Sequence, residues 1–232
     1  VSPNPKTWMN VIEICKGARF IDSTSNSVNR IWDFGDGDTS TLAYISHIYS
    51  AAGTHNIKLK VFDNQGCTDS MLQTVIIHKA PKADFDIDVK ICVSKTITII
   101  NNSNDASDYY WDLGNSQTSK LITPLAFSYP AAGSYNVKLV VSTPVCKDTL
   151  IKTLTVNPNP FAQFGSARQT DSTMQFNDSS SISAGNIASW LWDFGDGETS
   201  VIQDPIHIFV VPDNYSVTLC ITSDEGCENC IT

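Results

Sequence analysis

A nine-residue segment that occurs three times constrains this chain more than anything else in it. Trp32-Asp33-Phe34-Gly35-Asp36-Gly37-Asp38-Thr39-Ser40 returns as Trp192-Asp193-Phe194-Gly195-Asp196-Gly197-Glu198-Thr199-Ser200. A weaker copy, Trp111-Asp112-Leu113-Gly114-Asn115-Ser116-Gln117-Thr118-Ser119, lies between them. The tryptophans recur at intervals of about eighty residues, too long for a solenoid turn and about the size of a small β-sandwich. The expected organisation is therefore three units of one design, 1–80, 81–157 and 158–232.

The residues downstream of each tryptophan support the alignment. His47-Ile48-Tyr49, Phe127-Ser128-Tyr129 and His207-Ile208-Phe209 occupy matching places, and each leads into an alternating run. Tyr135, Val137, Leu139 and Val141 alternate with Asn136, Lys138 and Val140, the period of a strand buried on one face. His55, Ile57, Leu59 and Val61 repeat the pattern, as do Tyr215, Val217, Leu219 and Ile221. Other short β-prone runs, such as 74–77, 97–100, 153–156 and 174–176, are separated by Gly, Asn, Asp, Ser and Pro clusters. No stretch of ten residues has helical periodicity, so the predicted fold class is all-β, built of Greek-key sandwiches.

The motif has a local explanation. Trp32 and Phe34 share one face of a strand, Gly35 permits a bend, and Asp36-Gly37 is a favoured two-residue turn. In the middle copy Ser116 replaces the second glycine, and serine is poor at positive φ, so a different turn is expected there.

WDFGDG, then His-x-Tyr, then the alternating strand resembles the polycystic kidney disease (PKD) domain, an immunoglobulin-like sandwich. The resemblance covers nearly the whole chain and is weakest in the middle repeat. It implies an extracellular module, of the kind found in cell-surface proteins and beside secreted proteases, chitinases and collagenases. Arrays with cysteines resemble segments of bacterial surface adhesins and type IX-secreted proteins of gliding bacteria. Fold alone does not assign a function.

Val1-Ser2-Pro3-Asn4-Pro5 mirrors Val156-Asn157-Pro158-Asn159-Pro160, and few residues lie beyond Cys227 compared with Cys146. Both features suggest an excerpt from a longer array whose third repeat lacks most of its last strand. No membrane-length apolar run occurs. A net charge of −9 argues against nucleic acid as a partner, because such binding rests on Lys and Arg neutralising phosphates.

The seven cysteines divide by repeat. Disulfides Cys15–Cys67 and Cys92–Cys146, one staple per repeat, are expected, with free buried thiols as the alternative. Zinc is a weaker rival, since Cys227-Glu228-Asn229-Cys230 has no second pair. In repeat three Cys220–Cys230 is preferred and Cys220–Cys227 stays open.

No nucleophile motif accompanies His47, His55, His78 or His207, so His47 and His207 read as structural and catalysis is not expected. Calcium is a lesser expectation at Asp33, Asp36 and Asp38 or at Asp193, Asp196 and Glu198, because turn chemistry already accounts for these carboxylates. The proline-bearing linkers Ala80-Pro81-Lys82-Ala83 and 157–160 suggest a semi-rigid rod, with a flexible string as the alternative. Four Asp-Ser/Thr tripeptides, beginning at Asp22, Asp69, Asp148 and Asp171, resemble bacterial O-glycosylation signals.

These readings leave two function classes. One is a structural and interaction array, a spacer or stalk on a bacterial surface, touching neighbouring repeats and other surface proteins. The other is an accessory region of a secreted hydrolase, in which exposed aromatics contact carbohydrate or matrix. Tyr44, Tyr109, Tyr110 and Trp190 are the candidates, although Trp190 fits the core better.

Overall fold

Alternating β-branched and aromatic residues, broken by Gly, Asn and Asp, form strands throughout the computed structural model, which describes residues 5–232 and contains no helix among them. Repeat one comprises β1 (Met9–Ile14), β2 (Gly17–Asp22), β3 (Asn29–Asp33), β4 (Thr39–Ser40), β5 (Tyr44–Ile48), β6 (Gly53–Phe62) and β7 (Thr68–Ile77). Sheet β1-β2-β5 faces sheet β4-β3-β6-β7, and all pairings are antiparallel.

Repeat two comprises β8 (Phe85–Asp86), β9 (Lys90–Cys92), β10 (Ile100–Asn101), β11 (Asp108–Asp112), β12 (Thr118–Ser119), β13 (Gly133–Ser142) and β14 (Lys147–Asn157). Its large sheet runs β12-β11-β13-β14-β9, with β9 parallel to the end of β14, opposite the β8-β10 pair. Repeat three comprises β15 (Phe164–Arg168), β16 (Thr173–Asp178), β17 (Ile187–Asp193), β18 (Thr199–Ser200), β19 (Ile206–Ile208), β20 (Thr218–Ser223) and β21 (Glu228–Ile231). Its sheets are β15-β16-β19 and β18-β17-β20-β21. These are immunoglobulin-like sandwiches in tandem.

Each sandwich closes on its own core, and in each the repeated tryptophan is fully buried. Phe20, Trp32 and Phe34 pack with Ile57, Leu59 and Val61 in repeat one. Phe85, Trp111 and Tyr129 pack with Val137, Leu139 and Val141 in repeat two. Phe176, Trp192 and Phe194 pack with Leu219 and Ile221 in repeat three.

The long hairpins differ. β6 pairs with β7 from Phe62↔Thr68 to Gly53↔Ile77, and β13 pairs with β14 from Ser142↔Lys147 to Gly133↔Val156. In repeat three the ladder runs only from Thr222↔Glu228 to Leu219↔Ile231, which leaves Tyr215 and Val217 half-buried beside an open hollow lined by Phe164, Met174 and Phe209. The parallel between the start of the chain and the second junction falls partly on residues 1–4, outside the described residues.

Candidate functional site

The repeated motif is a loop braced by its own side chains. The register Asp33↔Thr39 leaves residues 34–38 unpaired, so the expected two-residue turn is replaced by a five-residue loop closed by the Phe34 N–H donating to the Asp38 carbonyl at 3.1 Å. Within it the Gly35 N–H donates to Asp33 Oδ1 (3.0 Å) and the Asp38 N–H to Asp36 Oδ1 (3.2 Å). These carboxylates replace backbone partners, as in an Asx turn. Gly35 has φ +76°, and a Cβ there would lie 2.6 Å from the Asn56 carbonyl oxygen, so glycine is required twice over. The indole N–H of Trp32 donates to the Leu42 carbonyl (2.9 Å), which gives the buried ring its one polar partner.

Repeats two and three reproduce this frame. The Gly114 and Gly195 N–H groups donate to Asp112 and Asp193, and Trp111 and Trp192 donate to the Leu121 and Ile202 carbonyls. The expected change of turn in repeat two does not occur. Ser116 adopts φ +70°, and the Leu113 N–H to Gln117 carbonyl bond of 3.0 Å closes the loop as in the other repeats. The bonds that Asp112 and Asn115 accept from the Gly114 and Gln117 N–H groups, together with the close approach of Gly114 to Asn136, hold serine in a backbone region it would not choose alone.

The histidines brace the same loop from the opposite sheet. His47 lies on β5 and its Nε2 is 2.7 Å from Asp36 Oδ2, while its ring stacks on Phe34 at 4.3 Å. His207 on β19 repeats both contacts with Asp196 (2.7 Å) and Phe194 (3.9 Å). Burial opposes ionisation of Asp36, but the His47 and Asp38 hydrogen bonds outweigh it and hold the carboxyl below its usual range. For Asp196 the His207 bond is the main cause of a shift in the same direction. Sequence reasoning misses this partnership, although both members vanish together in repeat two, where Asn115 and Phe127 stand instead. The Tyr49 hydroxyl is no nucleophile for this pair, since it donates to the Phe34 carbonyl at 3.1 Å and burial, then the Asp36 charge, pushes its pKa upward.

The cysteines correct the expected pairing. Cys15 bonds to Cys146 and Cys92 to Cys227, so both bridges join one repeat to the next, while Cys220–Cys230 crosses the β20–β21 hairpin and Cys67 is free. The reason is strand length. Cys67 and Cys146 immediately precede β7 and β14, whereas Cys15 and Cys92 sit where those strands end. Cys92 pairs in register with Asn157, and Cys15 shares a cavity wall with Ile77 and His78. Ten residues of strand span ~33 Å, far beyond the ~7 Å that a disulfide tolerates between Cα atoms. The two cysteines of one repeat therefore occupy opposite poles, and the downstream pole of each repeat meets the upstream pole of the next. Repeat three has no cysteine in its matching hairpin, between Arg168 and Thr173.

The outer repeats match a known family model. The PKD domain matches residues 13–77 and 155–232. The chain belongs to the PKD domain family. Over 129 residues, 52% of the chain, it is 44% identical to the pre-pro-metalloprotease PrtV of Vibrio cholerae, and it covers 13% of that protein. A 56-residue stretch, 24% of the chain, is 39% identical to the microbial collagenase of Vibrio alginolyticus and covers 7% of that protein. Thus the chain spans a small part of these relatives. Among solved structures, the PKD1 domain of PrtV is 28% identical with a TM-score of 0.31, covering 32% of this chain and 98% of that one. An I-band fragment of titin is 9% identical with a TM-score of 0.46, covering 99% of this chain and 97% of that one.

Within these PKD repeats the calcium expectation finds weak support. Asp36 and Asp38 gather with His47 rather than with Asp33, whose Oδ1 is held by the Gly35 N–H. Two carboxylates and an imidazole fall short of the six to eight oxygens that calcium takes, and Asp36 already has two partners. In the third PKD repeat Glu198 lies 3.9 Å from His207 Nδ1 and is mostly exposed.

Of the aromatics, Tyr44 and Tyr110 are exposed on different repeats, and Tyr109 packs against the second core. Trp190 packs on the third core and donates its indole N–H to Asp178 at 2.7 Å. They form no common surface. Of the Asp-Ser/Thr tripeptides, Asp69 and Asp148 accept the backbone N–H groups of Thr7 and Ala83, which ties the incoming chain to the last strand of each repeat. No helix among the described residues is long and apolar enough to cross a membrane.

Proposed function

We propose that the chain is a non-catalytic extracellular spacer, three PKD domains clamped in file so that the parts of a larger protein on either side are held at a set distance and orientation. The interdomain bridges Cys15–Cys146 and Cys92–Cys227 carry this reading. Ordinary interfaces between tandem domains leave relative motion as the default, and a disulfide at each junction removes much of it. The second junction also carries the exposed Lys90–Glu225 pair at 3.1 Å. Disulfides at both junctions favour an oxidising, extracellular setting.

The repeated loop supports the non-catalytic half of the proposal. Asp33, Asp36, His47 and Tyr49 are used to hold backbone and one another, leaving no polarised nucleophile beside a base among them. A stalk in a bacterial surface adhesin, including one that serves gliding motility, is one setting for such a spacer. An accessory region of a secreted hydrolase, with matrix or polysaccharide as its partner, is the second reading, and the matches within a metalloprotease and collagenases favour it.

Small-angle X-ray scattering on the intact chain tests the proposal. The oxidised protein is expected to give one narrow distance distribution, and the Cys15→Ser/Cys92→Ser variant a broader and longer one. Identical profiles would overturn the spacer reading.

A further inference from the structure

We infer that Cys67 is the downstream half of a third interdomain clamp, whose other half is a cysteine in the β1–β2-type hairpin of a PKD domain preceding this one. The inference goes beyond the spacer role and stands on the geometry of the clamps themselves.

Three independent features place Cys67 in the same position as two cysteines that are already bridged. Each of Cys67, Cys146 and Cys227 closes the hairpin before the last strand, with its carbonyl accepting from the N–H of Asp63, Thr143 and Ser223 at 3.0, 2.9 and 2.8 Å. Each backbone N–H returns to the side chain of that same partner, Asp63 Oδ1 at 2.8 Å, Thr143 Oγ1 at 3.0 Å and Ser223 Oγ at 3.0 Å. Two residues further on, Asp69, Asp148 and Asn229 each accept the N–H of the segment that enters their own repeat, at Thr7, Ala83 and Ala162. The upstream pole is therefore built alike three times, and twice it carries a disulfide to the preceding repeat.

Burial separates the three as the inference requires. Cys146 and Cys227 are 3% and 0% exposed beneath their neighbours, whereas Cys67 is only partly covered. No cysteine within the chain can satisfy it without breaking a bridge, because the other six are paired. The polarity is also set. The downstream pole of repeat three has no cysteine, so the clamped run extends toward the N-terminal side and stops at repeat three.

Forming the bond requires two thiols to lose their protons and two electrons. The acceptor is the exchangeable disulfide of a thiol oxidoreductase in the exporting compartment. One cysteine takes it up as a mixed disulfide, the thiolate of the other displaces it, and the oxidoreductase leaves as a dithiol.

Non-reducing peptide mapping of the natively exported parent protein tests the inference. The Cys67 peptide is expected to be linked to a cysteine of the repeat immediately before Val1. A free Cys67, a Cys67–Cys67 link between two copies, or a parent with no cysteine-bearing repeat at that place would overturn it. The 232-residue chain supplies the control. One thiol per chain should react with a thiol reagent under native conditions, falling to none in Cys67→Ser, and a native chain with no reactive thiol would count against the inference.

Discussion

Repeats one and two differ at five positions around the same loop: Phe34 becomes Leu113, Asp36 becomes Asn115, Gly37 becomes Ser116, Asp38 becomes Gln117 and His47 becomes Phe127. The loop shape survives all five changes. What the two repeats share is the leading aspartate, the glycine pressed against the opposite strand, the buried tryptophan, and a tyrosine whose hydroxyl caps the loop. Tyr49 donates to the Phe34 carbonyl at 3.1 Å and Tyr129 to the Leu113 carbonyl at 2.5 Å. Burial, then the charges of Tyr135 and Asp112, pushes Tyr129 up to about 12, which keeps it a proton donor. The shared set specifies the loop, and the Asp–His pair is an additional brace.

The largest expected effect comes from the shared tryptophan. Trp32→Ala and Trp111→Ala should each destabilise their own domain by roughly 3–5 kcal/mol, the range for truncating a large buried aromatic. Denaturation followed by hydrogen exchange resolved by domain measures both, and a neutral result at either position would break the equivalence of the two cores. Next come Gly35→Ala and Gly114→Ala. Positive φ alone costs about 1–2 kcal/mol for a non-glycine residue, and the Cβ would meet backbone oxygen in both repeats, so at least about 2 kcal/mol is expected at each site. A loss confined to one repeat would show that the loops are braced differently after all.

A third test concerns acid. The carboxyl of Asp36 has its pKa below the ordinary 3.8, so its contribution to stability is present above that value and is lost as pH falls through the depressed folded value. Asn115 does not titrate. Acidification below about pH 4 should therefore weaken the loop of repeat one relative to that of repeat two, and Asp36→Asn should abolish the difference. Loop amide exchange measured against pH reads this directly, and equal acid sensitivity in both repeats would refute it. The smallest effect is expected for Ser116→Gly, which relieves positive-φ strain but loosens the unfolded chain, for a net gain of about 0.5–1 kcal/mol. A loss of stability there would mean that the serine side chain contributes something beyond its backbone shape.

Much of the fold can be read from the residues because its determinants are local and repeated three times. The alternation of 135–141 marks the strand β13, and Trp32, Trp111 and Trp192 mark three separate cores. The loop is legible in its residue types but not in its length, since a five-residue loop held by Asx bonds and a two-residue turn both ask for Asp and Gly. The clamps are not legible as pairs. Which cysteines meet depends on the length of β7 and β14 and on the stacking of one repeat on the next, and neither quantity is written in the spacing of Cys15 from Cys67. A trace of the true pairing is present in the offset of the pattern. The hairpin cysteine occurs in all three repeats, but its counterpart at the other pole occurs in only the first two.

The clamps also change what a pull on the chain can do. Tension applied at the two ends of the 232-residue chain, with Cys67 unbridged, enters at Cys15, crosses to Cys146, returns along repeat two to Cys92 and leaves through Cys227. That shortest covalent route contains roughly a third of the backbone, and at ~3.3–3.6 Å per residue it limits full extension to about a third of what the linear chain would reach. Repeats one and three lie mostly in side loops that carry no load. Repeat two alone, its strands drawn in the direction opposite to the sequence, stands in the path of the force.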